Sequence, residues 1–144
     1  MTILQSLAEW IGHHQPKFSS LADLSVVQIG EADDLAPPFL GLVESGAAPV
    51  EQDGLIMHGV TAYEVTAELH TVPAADDQEG TEFDEERLMR ADLYDILADR
   101  AAIDWVTDRN FWRVFDIRCG GPITEAQEGR RVTRWELTVI ACPI

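Results

Sequence analysis

Few residues in the sequence have side chains that could bind a metal or act as a nucleophile, since it contains 4 histidines and 2 cysteines. His58 and His70 point the same way on a predicted long strand, yet at about 3.3 Å per residue they would lie about 40 Å apart, too far to share a metal ion. The adjacent His13 and His14 point in different directions on a helix, which also disfavours a metal site. Cys119 could pair with a histidine as a nucleophile, as thiol–imidazole pairs do in enzymes. The simpler interpretation of the cysteines is that they are small buried apolar residues.

The acidic segment 75–86, ADDQEGTEFDEE, is the other candidate for chemistry, because carboxylates bind Ca²⁺. It lacks the D-x-D-x-D-G order of an EF-hand loop, so a solvated acidic loop is the favoured interpretation. The sequence also contains no glycine-rich phosphate loop and no G-x-S-x-G, C-x-x-C or H-E-x-x-H motif. We therefore predict no catalytic residue, no metal and no cofactor, and hence a protein that is not an enzyme. The alternative is an enzymatic or small-molecule-binding α+β domain, which requires a pocket with convergent polar groups.

Charge is distributed unevenly along the chain, whose formal net charge is −16. No Lys or Arg occurs between Phe18 and Glu86, although that stretch holds 16 of the 26 acidic residues, and nine of the ten basic residues are arginines from Arg87 onward. This balance disfavours binding to DNA phosphates, which needs clustered Lys and Arg. Two interpretations remain open: a solvated acidic surface that favours solubility, or a polarised subunit whose acidic part contacts arginines of a neighbouring subunit.

Length and composition predict one domain, residues 1–144, which can bury roughly 68–70% of the surface that the unfolded chain exposes. The longest apolar runs are too short to span a bilayer. The segment MTILQSLAEW lacks the basic region and cleavage site of a secretory signal. We therefore expect a cytoplasmic protein that does not contact a membrane.

Hydrophobic periodicity and turn residues predict the elements that position these side chains. Thr2 and Gln5 fit a helix capping box, and acids in a first turn followed by an apolar stripe predict a second helix from about Asp84 to Ala101. The predicted fold class is α+β, a two-layer sandwich with a mainly antiparallel sheet and two principal helices, in the order α-β-β-β-α-β-β. The predicted strands are Leu24–Ile29, FLGLVES, LIMHGVTAYEVTAELHTV with a bulge at Gly59, FWRVFDIRCG and RRVTRWELTVIACPI.

The segments GAAPVEQDG and GGPITEAQEG are predicted as connections because they are rich in glycine, proline and polar residues. The segment AIDWVTDRN is predicted as a turn-like link anchored by Ile103, Trp105 and Val106, and residues 73–83 are predicted to form a mobile acidic loop. A hairpin closed by GGPITEAQEG would place Cys119 beside Arg130.

Two predicted strands alternate between an apolar and a polar set of side chains, which is typical of a sheet with one face packed and the other exposed. The apolar sets are Tyr63, Val65, Ala67 and Leu69 in one strand and Trp135, Leu137, Val139 and Ala141 in the other. The polar set includes Glu64, Glu68, Arg134 and Glu136, and we regard this polar face as a candidate contact surface.

The element order and the residue patterns of several segments resemble those of the tail-terminator (tail-completion) proteins of long-tailed bacteriophages and related prophage-like particles. The segments are APPFLGLVES, YEVTAELHTV, an acidic insertion, ADLYDILADR and WELTVIACPI, and together they cover nearly the whole chain. The resemblance implies a small α+β subunit of a hexameric ring that stops growth of the tail tube and offers a docking surface to the head connector. It further implies a virion protein of the tail or neck, present in the host cytoplasm during assembly, with DNA passing through the ring lumen without specific binding.

The charge split predicts head-to-tail contacts between subunits, because two unlike surfaces favour a heterologous interface. The candidate interface residues are Arg113, Arg118, Arg130, Arg131 and Arg134 on one side and Asp76, Asp77, Glu79 and Glu82 on the other. In a ring, the polar sheet face with Glu64, Glu68 and Glu136 would meet a neighbour or the lumen. The expected partners are further copies of the chain, the tail tube protein and the head–tail connector. The alternative within this class is another phage neck or head–tail joining protein.

Overall fold

The computed structural model of the chain describes residues 2–28, 36–72, 81–109, 112–127 and 129–143. Two short 3₁₀ turns, Gln15–Lys17 and Ser19–Leu21, follow the first helix. The helices are α1 (Ile3–His14), α2 (Thr81–Leu97) and α3 (Ala101–Arg109). The strands are β1 (Ser25–Gln28), β2 (Phe39–Gln52), β3 (Leu55–Thr71), β4 (Trp112–Cys119), β5 (Ile123–Gln127) and β6 (Arg130–Pro143).

Helix α1 begins at the capping box that the sequence predicts. The backbone N–H of Gln5 donates to the Thr2 hydroxyl at 3.1 Å, and the Gln5 side chain accepts from the Thr2 N–H at 2.9 Å. Two N–H groups that a helix start leaves unpaired are thereby satisfied. The indole of Trp10 then donates to the Ile96 carbonyl at 3.0 Å, which joins the buried side of α1 to α2.

The sheet is built around β6, which lies between β3 on one side and both β4 and β5 on the other. The strand order is β1-β2-β3-β6-β4. Strand β5 pairs with the first half of β6, and β4 pairs with the second half on the same side of β6. Every pair is antiparallel except β1 with β2. The six strands curl into a half-barrel.

The hydrophobic core lies between the helices and one face of this sheet. The side chains that the alternation predicts to be apolar and packed lie there: Val65, Ala67, Leu69, Trp135, Leu137, Val139 and Ala141 are all buried, and Tyr63 is partly buried against them. Helix residues such as Ile11, Leu93 and Val106 pack against them. At about 25 cal/mol per Å² of apolar surface removed from water, this contact supplies the main favourable free energy of folding.

Strands β2 and β3 form a long hairpin that extends beyond the rest of the sheet. It turns at Asp53 and Gly54, whose φ angles of 53° and 80° match a two-residue type I′ turn. Pro49 lies opposite Thr61 whereas Glu51 lies opposite Ile56, so β3 carries extra residues at this point. Gly59, with a φ of 79°, lies within that irregularity. The predicted bulge at Gly59 is therefore confirmed.

The α+β class is confirmed, but the predicted element order is wrong, because the described residues contain a third helix and a sixth strand. The segment AIDWVTDRN lies mostly in α3, since the Asp99 carboxylate caps its first turn and Ala102 and Val106 pack into the core. The segment GAAPVEQDG continues β2 as far as Gln52, and ITEAQ of the predicted final loop is β5. The curled sheet also differs from the expected two-layer sandwich.

The positions of α2 and β5 also correct two smaller predictions, the start of the second helix and the neighbour of Cys119. Helix α2 begins at Thr81 and ends at Leu97, so residues 81–83 of the predicted mobile loop are helical, while residues 73–80 lie outside the described part of the chain. Cys119 lies opposite Leu137 rather than Arg130, because β5 occupies the position beside Arg130 and pairs Gln127 with it.

Candidate functional site

The polar residues of β3 and β6 lie together on the sheet face turned away from the helices, which we call the outer face. The β3–β6 register pairs Glu64 with Thr138, Thr66 with Glu136, Glu68 with Arg134 and His70 with Val132. Because paired residues of antiparallel strands project to the same side, these eight side chains form two adjacent rows. The sequence alternation therefore locates Glu64, Glu68 and Glu136 on one surface.

At one end of the outer face, charged side chains form a network across three strands. The Arg134 guanidinium donates to Glu125 at 2.8 Å and lies 3.5 Å from Glu68, whose carboxylate is also 3.5 Å from the His70 ring. Arg130 lies 3.3 Å from Nδ1 of His70. The cationic head of Arg134 is thus held by two carboxylates of its own chain.

His70 also stacks on the buried ring of Phe39, with ring centroids 4.4 Å apart and an interplanar angle of 11°. Burial lowers the pKa of His70, and Arg130 and Arg134 lower it further, against an opposing effect of Glu68. The neutral imidazole is therefore favoured at this position. These contacts join the ends of β2, β3 and β6, and His70 belongs to no group of three or more potential metal ligands within the described residues.

The middle of the outer face carries two carboxylates that accept hydrogen bonds from threonines. The Thr138 hydroxyl donates to Glu64 at 3.0 Å, and the Thr66 hydroxyl donates to Glu136 at 3.1 Å. These neutral donors leave both negative charges uncompensated by a cation in those contacts. We call these two carboxylates the anionic strip; Arg118 of β4 lies beside it, opposite Thr138.

The arginines predicted to form an interface lie in three different places. Arg130 and Arg134 belong to the outer-face network, and Arg113 is exposed on β4. Arg118 donates to Asp116 at 2.7 Å, which lowers the pKa of that carboxyl, and Arg100 donates to the same carboxylate at 3.0 Å. Two guanidinium groups therefore share one carboxylate and leave a net positive charge on β4.

The placement of Arg131 contradicts its grouping with Arg130 and Arg134, since it lies on the helix-facing side of β6. It donates to the buried carboxylate of Glu86 at 2.7 Å, which also pairs with Arg90 at 3.1 Å and accepts from the Thr71 hydroxyl at 2.6 Å. Adjacent residues of a strand project to opposite faces, so Arg130 and Arg131 cannot share a surface. Of the predicted acidic partners, Asp76, Asp77 and Glu79 lie outside the described residues, and Glu82 lies in the first turn of α2.

A feature that sequence reasoning missed is the end of the β2–β3 hairpin, residues 50–60, which we call the arm. Within the described residues its two strands pair only with each other, because β1 reaches β2 no further than Leu42 and β6 reaches β3 only from Thr61. Leu55 is 74% exposed, Ile56 63% and Met57 39%. The arm contains acidic residues, Glu51 and Asp53, and no Lys or Arg. The sequence feature that could have revealed this hairpin is the Asp53-Gly54 pair beside apolar residues, which is typical of a hairpin turn.

The sheet edge on the other side of β6 from the arm is formed by β4 and β5, and it is also uncovered over much of its length. Every residue of β5 is exposed, including Ile123 at 62%, and Phe115 of β4 is 49% exposed. The N–H of Val114 donates to the Thr107 hydroxyl at 3.2 Å, so α3 satisfies part of the β4 edge. No described strand pairs with the outer side of β5, and we call β4 and β5 together the arginine edge.

Metal sites, membrane spans and a reactive thiol have less support. The described residues contain no group of three or more histidine, cysteine or acidic residues placed to hold a metal ion, and no described helix has the length and apolar character of a membrane span. Burial raises the pKa of the Cys119 thiol to about 11, the reverse of what a nucleophilic thiolate needs. A cavity of about 480 Å³ is lined by Ser19, Ser20, Asp23, Leu24, Pro38, Leu88 and Met89.

That cavity is a candidate site for a small molecule among the described residues, yet few polar groups converge on it. Ser20 already donates to Asp92 at 2.6 Å, which leaves Ser19 and Asp23 as the remaining polar side chains of the lining. Comparisons with known proteins add no assignment: no protein-family model matches the sequence, and no curated protein does.

Proposed function

We propose that this protein is a ring-forming structural subunit of a phage-like particle, the tail terminator that caps the tail tube and offers a docking surface to the head connector. The observation that carries the proposal is the presence of two unlike, uncovered surfaces on one chain. The arm carries Glu51 and Asp53 and no Lys or Arg, whereas β4 carries exposed Arg113 and Arg118 against one acid, Asp116. Strand β5 adds Glu125, which pairs with Arg134, and both strands expose an apolar side chain, Phe115 and Ile123. Such a pair supports head-to-tail assembly, which closes into a ring when the rotation between subunits permits.

The positions of these surfaces in the sheet further support assembly between copies. The arm extends from β2 and β3, on one side of β6, while β4 and β5 lie on the other side. Strand β6 lies between the base of the arm and β4 of the same chain, and Tyr63 of β3 contacts Trp112 of β4 across it. The ring size of six comes from the resemblance to the terminator family.

The anionic strip of the outer face suits a position at the ring lumen. Glu64 and Glu136 accept hydrogen bonds from neutral threonines, so their charges would repel DNA phosphates. DNA would then pass through the lumen without specific binding. The proposal places the protein in the tail or neck of the virion, and in the host cytoplasm during assembly, with the tail tube protein and the connector as partners.

The test is to add purified protein to polymerising tail tube protein of the same particle and to examine the tubes by negative-stain electron microscopy. The expected result is a ring at one end of each tube and an arrest of elongation. Binding to the connector without any effect on tubes would favour the other neck or head–tail joining proteins. Tubes that grow to the same length and bear no added density at their ends would refute the terminator function.

A further inference from the structure

The charged network at the end of the outer face is electrically balanced only while His70 is neutral. Its other described members are two arginines of β6 and two glutamates, one on β3 and one on β5: Arg130, Arg134, Glu68 and Glu125. Their two positive and two negative charges cancel. A proton on His70 therefore gives the network one positive charge in excess.

The contacts of the His70 ring assign a separate role to each of its nitrogens. Nε2 lies 3.5 Å from the Glu68 carboxylate, and an ionised carboxylate only accepts hydrogen bonds, so Nε2 carries the proton of the neutral ring. Nδ1 lies 3.3 Å from Nη1 of Arg130, and a guanidinium only donates, so Nδ1 accepts. The neutral tautomer with its proton on Nε2 satisfies both contacts at once.

A second proton on the ring must go to Nδ1, where it removes the acceptor that holds Arg130. The new N–H then faces the guanidinium, and two cations 3.3 Å apart repel each other. Arg134 is held by two carboxylates, those of Glu68 and Glu125. Arg130 contacts no carboxylate within the described ranges of the chain. Arg130 is consequently the side chain that protonation displaces.

The position of the ring in the sheet keeps these roles fixed. His70 is stacked on the buried ring of Phe39 from β2, and its own side chain is only 16% exposed. The charged groups that face it are Glu68 of its own strand and Arg130 and Arg134 of β6. Burial has the largest effect on the pKa of His70 and lowers it, Glu68 raises it, and the two arginines lower it. The ring therefore takes up its second proton below pH 6.5, the ordinary pKa of histidine.

Arg130 lies where the β5–β6 hairpin meets β3. It is the first residue of β6 and pairs with Gln127 of β5, while the ladder between β3 and β6 ends one residue later, at Arg131. Every residue of β5 is exposed, so β5 contributes no side chain to the core. The hairpin is thus held mainly by its backbone ladder and by contacts at its base, of which the one between Arg130 and His70 reaches β3.

From these observations we propose that the contact between His70 and Arg130 is a pH-sensitive switch. The neutral ring holds Arg130 and fixes the β5–β6 hairpin against β3. The protonated ring releases Arg130, and the hairpin becomes mobile while the core of the sheet stays folded. This property belongs to the single chain and goes beyond the proposed function, on which it does not depend.

The test is nuclear magnetic resonance of the ¹⁵N-labelled full chain between about pH 8 and about pH 5. At the upper pH, the ring nitrogens of His70 should show the tautomer with its proton on Nε2. As the ring titrates, the backbone amides of residues 123–127 and 130–133 should shift with the same midpoint. Their hydrogen exchange, corrected for the intrinsic dependence on pH, should accelerate at least about tenfold relative to amides of the core strands.

His70→Gln separates the switch from other effects of acid. The glutamine carbonyl can still accept from Arg130 but takes up no proton, so the corrected exchange of the hairpin should no longer depend on pH in this range. His58→Gln is the matched control, because His58 is an exposed histidine of the same strand, in the arm, and this variant should respond to pH as the wild type does. Arg130→Gln should give fast hairpin exchange already at about pH 8 and raise the titration midpoint of His70, because a repelling charge is removed.

Four results would overturn the proposal. The first is a neutral ring with its proton on Nδ1, and the second is a ring that stays neutral until the whole chain unfolds. The third is a titration of His70 that the hairpin amides do not follow. The fourth is an acid-induced acceleration that persists in His70→Gln, which would assign the effect to the carboxylates Glu68 and Glu125.

Discussion

The buried carboxylate of Glu86 provides a direct test of how α2 is held on the sheet. Its side chain lies 2.7 Å from Arg131 of β6, 3.1 Å from Arg90 and 2.6 Å from the Thr71 hydroxyl. Removing one partner of a buried ion pair costs about 3–5 kcal/mol, because the other charge stays desolvated. Arg131 and Arg90 are 27% and 19% exposed, so water compensates in part. We therefore expect Glu86→Ala to lower the free energy of unfolding by about 2–3 kcal/mol.

The chain offers a matched control in Glu125, another glutamate paired with an arginine of β6. Its carboxylate lies 2.8 Å from Arg134, nearly the same distance as in the buried pair, but its side chain is 57% exposed. Glu125→Ala should therefore cost about 0–1 kcal/mol, as exposed ion pairs do. The two variants compare a buried carboxylate that has three partners with an exposed one that has a single partner.

The assay is urea unfolding followed by tryptophan fluorescence, for which the chain carries 4 tryptophans. At an m-value of about 2 kcal/mol per molar, Glu86→Ala should move the midpoint down by about 1–1.5 M urea with m unchanged. Measurements at two protein concentrations separate subunit unfolding from dissociation of an assembly. If the two variants shift the midpoint equally, burial does not determine the strength of these pairs and the reasoning fails.

Three further predictions concern single residues. Burial is the main cause of the lowered pKa of His70, so the neutral ring stabilises the fold fully above pH 6.5, the ordinary pKa of histidine, and this contribution is lost as the pH falls below 6.5. In urea unfolding at several pH values, His70→Gln should therefore flatten the acidic part of the curve of stability against pH. Because the pKa of Cys119 is raised to about 11, its alkylation by iodoacetamide in a Cys142→Ser background should stay slow at pH 9 and accelerate toward pH 11, and a rate equal to that of a free thiol would contradict the burial. Gly59→Ala should destabilise the arm by about 1–2 kcal/mol because its φ is 79°, whereas Gly12→Ala, within α1 and with open space around it, should stabilise by about 0.5–1 kcal/mol in thermal unfolding; equal effects would argue against the backbone strain.

The parts of the fold that sequence reasoning predicted are those with one buried face. Strands β3 and β6 bury their alternate apolar side chains, from Val65 to Leu69 and from Trp135 to Ala141, and that alternation is visible in the sequence. Strand β5 has no buried residue, so it has no alternation that marks it as a strand. The second half of β2 is mostly exposed and contains Gly46 and Pro49, which favour a loop by composition.

The candidate site was predictable only where it depends on the alternation of side chains along a strand. Parity along β3 and β6 was enough to group Glu64, Glu68 and Glu136 on one face. The ion pairs were not predictable, because the contact of Arg134 with Glu125 depends on β5, and the contact of Arg131 with Glu86 depends on where α2 crosses the sheet. Tertiary register of this kind has no local signal in the sequence.

The central position of β6 has a consequence for how the chain folds during synthesis. Strand β6 follows all other strands in the chain, yet its partners in β3 are 131 − 71 = 60 to 141 − 61 = 80 positions away. Until the ribosome has released β6, the β2–β3 hairpin can form but β3 has no neighbour on its other side, and β4 and β5 have no strand to join. The nascent chain therefore displays open strand edges and an uncovered apolar face until late, and its sheet closes through long-range pairing, which is slow. Aggregation and chaperone binding compete with folding most strongly in that interval.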